Sequence, residues 1–202
     1  MSLWLAAQPL VLASKSATRR AIIEAAGIPL EIVSADIDER GVEARAGPLG
    51  ASDAAVLLAR EKARVGGARI KGRFVVGADQ TLALGRARFT KPFDRDTARE
   101  QLHALSGRTH ELHSAVALAR DGRVVFSHVD TARLTMRPLS ERFLDAYLDA
   151  AGTSVTASVG GYQLEGLGCH LFEKVEGDHF TILGLPLFAL LAFLRREGCL
   201  AG

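Results

Sequence analysis

Phe74-Val75-Val76-Gly77-Ala78-Asp79-Gln80 is the stretch on which the fold turns. Its first five residues form an almost continuous apolar run, the pattern of a strand covered on both faces by helices. The run predicts an α/β protein. It stops at Asp79-Gln80, which would set a carboxylate at the carboxyl edge of the sheet, where open α/β folds carry their ligands. The plainer alternative is an Asp that caps the next turn.

On the N-terminal side, Leu10 to Ala13 reads as a short buried strand, followed by the turn Ser14-Lys15-Ser16 and a helix from Ala17 to Ala26. Gly27 and Pro29 stop that helix. Leu30 to Ser34 is a second strand leading into the acidic turn Asp36-Ile37-Asp38-Glu39. Residues 40–51, rich in Gly and Ala with one Pro, are expected to form a mobile loop. Ser52 or Asp53 then caps a long helix to Ala68.

On the C-terminal side, a helix is expected from Arg95 to Leu105, closing at Ser106-Gly107. Thr109 to Ala119 and Arg123 to Met136 flank Asp121-Gly122 and read as a hairpin. A helix from Ser140 to Asp149, a glycine-studded segment from Ser158 to Gly168, a strand from His170 to Val175 and a helix from Pro186 to Arg196 follow. With no repeat or Pro/Ser linker, residues 1–202 read as one domain of two lobes sharing a cleft.

Composition narrows the function classes. The 25 basic and 23 acidic residues leave a formal charge of +2, which argues against a broad nucleic-acid surface. An anionic partner must therefore be held by a local cluster. No stretch approaches the roughly 20 apolar residues of a membrane span. The N-terminus lacks the basic region of a signal peptide, and Gln8-Pro9 breaks its apolar run. Cys169 and Cys199 fit neither a disulfide framework nor a zinc spacing, which suits a cytoplasmic protein.

Several residues could carry chemistry. Ser14, Lys15 and Ser16 sit between a strand and a helix, with Arg19 and Arg20 one turn on. Helix N-terminal amides, hydroxyls and guanidiniums together suit an anion, although Ser16 could be only an N-cap. The neighbours of Lys62 at helical spacing are Leu58, Ala59, Val65 and Gly66. A lysine on such a stripe either snorkels outward or points into a polar cavity. Lys91-Pro92 and the trio Asp36, Asp38 and Glu39 could be ordinary surface. The six histidines lack metal-ligand spacing and read as structural or solvated. Cations for a polyphosphate, carboxylates for a divalent ion and an Asp placed to activate water are together the parts of phosphoryl-group chemistry.

These blocks, in their order, resemble the Maf family of nucleotide pyrophosphatases over nearly the whole chain. Leu12-Ala13-Ser14-Lys15-Ser16-Ala17-Thr18-Arg19-Arg20 resembles the family's opening signature, with Ala17 where a proline is usual. Asp38-Glu39 matches its acidic pair, and Ala59-Arg60-Glu61-Lys62-Ala63 its long-helix motif. Gly77-Ala78-Asp79-Gln80, Lys91-Pro92, Leu105-Ser106-Gly107-Arg108-Thr109-His110, Leu164-Glu165-Gly166-Leu167-Gly168 and Gly184-Leu185-Pro186-Leu187 follow. The resemblance implies an elongated mixed sheet with flanking helices around a deep nucleotide cleft, often in a homodimer. It also implies hydrolysis of nucleoside triphosphates to monophosphate and pyrophosphate, as housekeeping of nucleotide pools.

By the same resemblance, Ser14, Ser16, Arg19, Lys62 and Lys91 line the triphosphate site. Asp79 is the general base, and Glu39 and Asp79 hold Mg²⁺ or Mn²⁺. Thr18, Gln80 and Glu165 fall at positions that separate a pyrimidine-preferring branch from a 7-methylguanine branch. Gln80 and Glu165 match the second branch, whereas Thr18 matches neither the Arg of the first nor the aromatic of the second. Two other readings stay open: a regulator of septum formation that binds nucleotide without turnover, and an enzyme preferring dTTP or UTP.

Overall fold

The strand that opens at Phe74 outlasts its apolar run. In the computed structural model, which describes residues 3–202, β3 covers Phe74–Leu84. The preceding elements are β1 (Leu10–Leu12), α1 (Ala17–Ala25), β2 (Leu30–Ile32), α2 (Glu39–Ala46) and α3 (Ala51–Arg69). After β3 come β4 (Ala87–Phe89), α4 (Arg95–Leu105), β5 (Thr109–Arg120), β6 (Arg123–Met136) and α5 (Glu141–Ala151). Three 3₁₀ turns follow, then β7 (Phe172–Glu176), α6 (His179–Ile182) and α7 (Leu187–Arg196).

The seven strands form one mixed sheet in the order β2-β1-β3-β5-β6-β7, with β4 paired to β3. β1 runs parallel to β2 and β3, whereas β3–β4 and β6–β7 are antiparallel. The chain divides into two compact units. One contains Met1–Gln80, Ser114–Asp130 and Asp178–Gly202; the other contains Thr81–His113 and Thr131–Gly177.

In the first unit the period-2 alternation of β5 sorts its side chains to two faces. Val116 and Leu118 join Leu12, Val76 and Ala78 against Ile22 and Ile23 of α1 and Leu190, Phe193 and Leu194 of α7. Ala115, Ala117 and Ala119 meet Ala55, Ala59 and Ala63 of α3 on the other side. Small residues on both surfaces let α3 lie close to the sheet. At Gly77 the approach is backbone on backbone, since a Cβ there would collide with the Ala59 carbonyl and the Ala63 amide. In the second unit α4 and α5 pack on each other and on the turn segments, burying Leu102, Leu105, Leu144 and Leu148.

The structure corrects three expectations and adds two elements. Residues 40–46 are helical and only 47–50 form a loop, because Asp38 caps α2 by accepting from the Gly41 amide, and the helix formers after it outweigh Gly41. The helix stops where Gly47 takes a positive φ of 79°. The N-cap of α3 is Gly50 rather than Ser52 or Asp53. Asp79 lies within β3, not at its end, because hydrogen bonding through Gln80 and packing of Leu82 and Ala83 carry the strand onward. β4 and the four-residue α6 were not foreseen. Among the described residues no helix is long and apolar enough to cross a membrane.

Candidate active site

In the first unit, three elements bring polar groups together where β1 has ended and β3 continues. The parallel pairing of β1 with β3 reaches Leu12 and Val76, and the Ala13 amide donates to the Val76 carbonyl at 2.7 Å. Beyond it the chain of β1 turns away through Ser14-Lys15-Ser16 while β3 presents Asp79. The carboxylate therefore sits past the carboxyl end of β1 though in mid-strand of β3, so the edge argument holds for the neighbouring strand.

Lys62 does not snorkel. Its Nζ donates to Asp79 Oδ1 at 2.6 Å and pairs with Glu39 Oε1 at 2.7 Å, with its side chain only 13% exposed. The close packing of α3 on Gly77 explains this, because Ala59 and Ala63 bracket Lys62 and aim it along β3 toward Asp79. The Asp79 side chain is 12% exposed, and burial raises its pKa, against the opposing pull of Lys62 and Arg19. A desolvated carboxylate with a raised pKa is a stronger base than one in water.

Arg19 is half-buried and committed to the protein. Nε donates to the Gly184 carbonyl at 2.8 Å, and Nη1 donates to the Ala78 carbonyl at 2.8 Å and to Ser14 Oγ at 3.5 Å. Burial lowers its pKa, while Asp79 and then Glu39 raise it. A guanidinium stays charged at any working pH. Arg19 therefore ties the residue before Asp79 to the loop before α7 and places a fixed positive charge beside both carboxylates.

Ser16 caps α1 by accepting from the Arg19 amide at 3.3 Å, and Ser14 Oγ accepts from the Ser16 amide at 3.2 Å. The N-cap reading of this turn holds, and a capped helix N-terminus still leaves its Ala17 and Thr18 amides without intrahelical partners. Thr18 is half-buried on the first turn of α1. Lys15 is tied to Asp36 at 3.2 Å on the surface.

Gln80 is anchored. Its Nε2 donates to Ser114 Oγ at 2.9 Å and to the carbonyls of Thr181 and Ile182 at 3.2 and 2.9 Å. Ser114 Oγ donates in turn to the Thr181 carbonyl at 2.6 Å. Sequence reasoning missed Ser114 and Thr181. A hydroxyl interrupting the apolar run after His113 was the available signal. In the second unit, Lys91 is exposed between β4 and α4, and Glu165 is exposed in the turn from Gln163 to Gly168. His110 and His113 are structural, as expected: they bond Tyr162 at 2.6 Å and Thr131 at 2.9 Å.

Among the described residues no group of three or more His, Cys, Asp or Glu side chains could hold a metal. Glu39 and Asp79 nonetheless converge on one point, marked by the Lys62 ammonium at 2.7 and 2.6 Å. Carboxylate oxygens are the ligand type a hard divalent ion takes, and two of them leave most of its coordination to other donors.

The family model described as "Maf-like protein" matches residues 9–197. The chain is 55% identical to a nucleoside triphosphate pyrophosphatase of Rhodopseudomonas palustris (strain BisB18), with 100% of each chain covered. It is 56% identical, again over 100% of each, to a protein of the same name from Bradyrhizobium diazoefficiens. A 7-methyl-GTP pyrophosphatase of Brucella abortus biovar 1 is 51% identical over 96% of this chain and 98% of its own.

Proposed function

The chain belongs to the Maf family, and on that premise we propose that it hydrolyses nucleoside triphosphates to the monophosphate and pyrophosphate. The observation that carries the proposal is the buried Asp79 carboxylate held 2.6 Å from Lys62, beside the turn of Ser14, Ser16 and Arg19. A protein that only binds a polyanion gains nothing from a desolvated carboxylate next to it.

In the reaction, Asp79 takes a proton from water as the water oxygen bonds to phosphorus at the α–β anhydride. The bond to the bridging oxygen breaks, and pyrophosphate leaves with the electron pair. Lys62 and the amides that open α1 take up the phosphate charge, and Lys62 counters the charge that grows on the leaving group. Arg19 keeps Ala78, and so Asp79, in place. Mg²⁺ or Mn²⁺ held by Glu39 and Asp79 would neutralise phosphate oxygens.

For the base, Glu165 favours 7-methyl-GTP. A carboxylate accepts hydrogen bonds from the N1–H and amine of guanine and favours the positive charge of an N7-methylated ring, whereas uracil and thymine carbonyls are repelled. The relative from Brucella abortus carries that substrate in its name. Thr18 supplies no aromatic plane for stacking, so the advantage is smaller than an aromatic there would give.

A turnover screen across nucleotides tests both parts. We expect kcat/KM for 7-methyl-GTP to exceed that for dTTP and UTP, with Glu165→Gln narrowing the gap. Binding without turnover on any triphosphate would contradict the enzymatic reading, and equal or greater efficiency on dTTP would contradict the reading of the base.

A further inference from the structure

Glu165 is exposed, yet the backbone that carries it is held at many points within the second unit. Gly160 and Gly161 have φ of 81° and 75°, which only glycine adopts without strain. A Cβ on Gly160 would meet Leu82 Cδ1 at 2.7 Å and Tyr162 Cε1 at 2.8 Å. The Gly160 amide donates to Gln101 Oε1 at 3.1 Å, and Tyr147 Oη donates to the Gly161 carbonyl at 3.2 Å. Beyond Tyr162, the amides of Gly166 and Gly168 both donate to the Gln163 carbonyl, at 3.2 and 3.1 Å. The chain closes on itself there, and a side chain at 168 would strike that carbonyl. Glu165 rides on the closed turn.

The root of the turn is Tyr162, 4% exposed, whose phenol shares a 2.6 Å hydrogen bond with Nε2 of the fully buried His110 on β5. Phe172 completes the cluster, with its ring centroid 4.9 Å from that of Tyr162 and 5.8 Å from that of His110. Two apolar rings would fill this space without desolvating polar atoms. A buried hydrogen bond adds direction instead, since it forms in only one placement of the tyrosine, although His110 Nδ1 is left without a partner.

We propose that the His110–Tyr162 pair is a positioning clasp: it fixes the root of the Gln163–Gly168 turn and thereby the place from which Glu165 discriminates between bases. The proposal rests on the reading of Glu165 given above. Both clasp residues are buried, so they act through the turn and not by contact with the base. Their effect is on the bound geometry of Glu165, where a displacement of about 1 Å is enough to cost a large factor in rate.

Tyr162→Phe removes one oxygen and keeps the ring. The kcat/KM advantage of 7-methyl-GTP over UTP should fall by roughly tenfold, through KM for 7-methyl-GTP, while kcat on UTP stays within about twofold. Joined to Glu165→Gln, it should cost no further discrimination, because both changes remove the same interaction. Hydrogen exchange at residues 163–168 should quicken while α4 and α5 keep their protection. His110→Phe should reproduce these effects, and His110→Gln, which retains a polar partner, should restore part of the discrimination. A Tyr162→Phe protein that melts earlier yet discriminates as before would overturn the clasp. If Glu165→Gln is silent, the reading of Glu165 fails and the clasp, which acts through it, is overturned with it; full additivity with an active Glu165→Gln overturns the clasp alone.

Discussion

Lys62 Nζ stands 2.6 Å from Asp79 Oδ1 because α3 and β3 touch backbone to backbone at Gly77. One glycine on the strand and two alanines on the helix remove the bulk that would keep a lysine on α3 away from a carboxylate on β3. The same cation closes on Glu39 at the start of α2, so three elements share one charge cluster. Packing and chemistry are coupled here.

Gly77→Ala therefore tests the coupling. Its Cβ has no room against the backbone of Ala59 and Ala63, so helix and strand must part. Overpacking of this kind costs about 1–3 kcal/mol. Urea unfolding should show that loss, and turnover should fall more steeply than stability because Lys62 is withdrawn from Asp79. Wild-type kinetics in the folded variant would mean that the close approach does not govern the site.

Asp79→Asn keeps the shape of the side chain and removes the base. Loss of a positioned base lowers kcat by about 10²–10⁴-fold. The variant should keep its circular dichroism spectrum. If it retains more than roughly a tenth of wild-type kcat, Asp79 does not take the proton.

Lys62→Ala should raise KM and lower kcat together, since the ammonium both binds phosphate and counters charge that grows in the transition state. It also leaves Asp79 without its hydrogen-bonded cation, and breaking a buried pair from one side destabilises by about 3–5 kcal/mol. Steady-state kinetics and a melting curve measure the two effects. Unchanged kinetics would return Lys62 to a purely structural role.

Burial pushes His110 down to about 4 from 6.5. The folded protein thus keeps this imidazole neutral where the unfolded chain already binds a proton. Its contribution to stability is complete above pH 6.5 and is lost as pH falls from there toward 4. Between pH 7 and pH 5 the loss should be about 2 kcal/mol. Urea unfolding at the two pH values should show it, and His110→Gln, which does not titrate, should remove that part of the slope. An unaltered slope in the variant would mean that His110 is protonated in the folded state.

Much of the architecture is legible in residue order. The hairpin about Asp121-Gly122 and the helix ending at Arg196 follow from turn chemistry and periodicity. The failures have physical causes. Glycines at 41 and 47 resemble a loop, yet only Gly47 needs a positive φ, and Asp38 supplies a cap that composition does not reveal. Gln80 and Thr81 look like the end of a strand because the partners that bury Gln80, Ser114 and α6, are distant in sequence. Lys62 is ambiguous for the same reason: its helix shows an apolar stripe, and the two carboxylates that receive it lie on other elements, β3 and the start of α2. Arg19 reads as a phosphate ligand from its motif, whereas its contacts to Gly184 and Ala78 depend on tertiary structure.

Product identity tests the central claim most directly. Chromatography of a 7-methyl-GTP or UTP reaction, run with Mg²⁺ or Mn²⁺, should yield monophosphate and pyrophosphate in equal amounts, with no diphosphate at any time. A nucleoside diphosphate accompanied by orthophosphate would contradict the account.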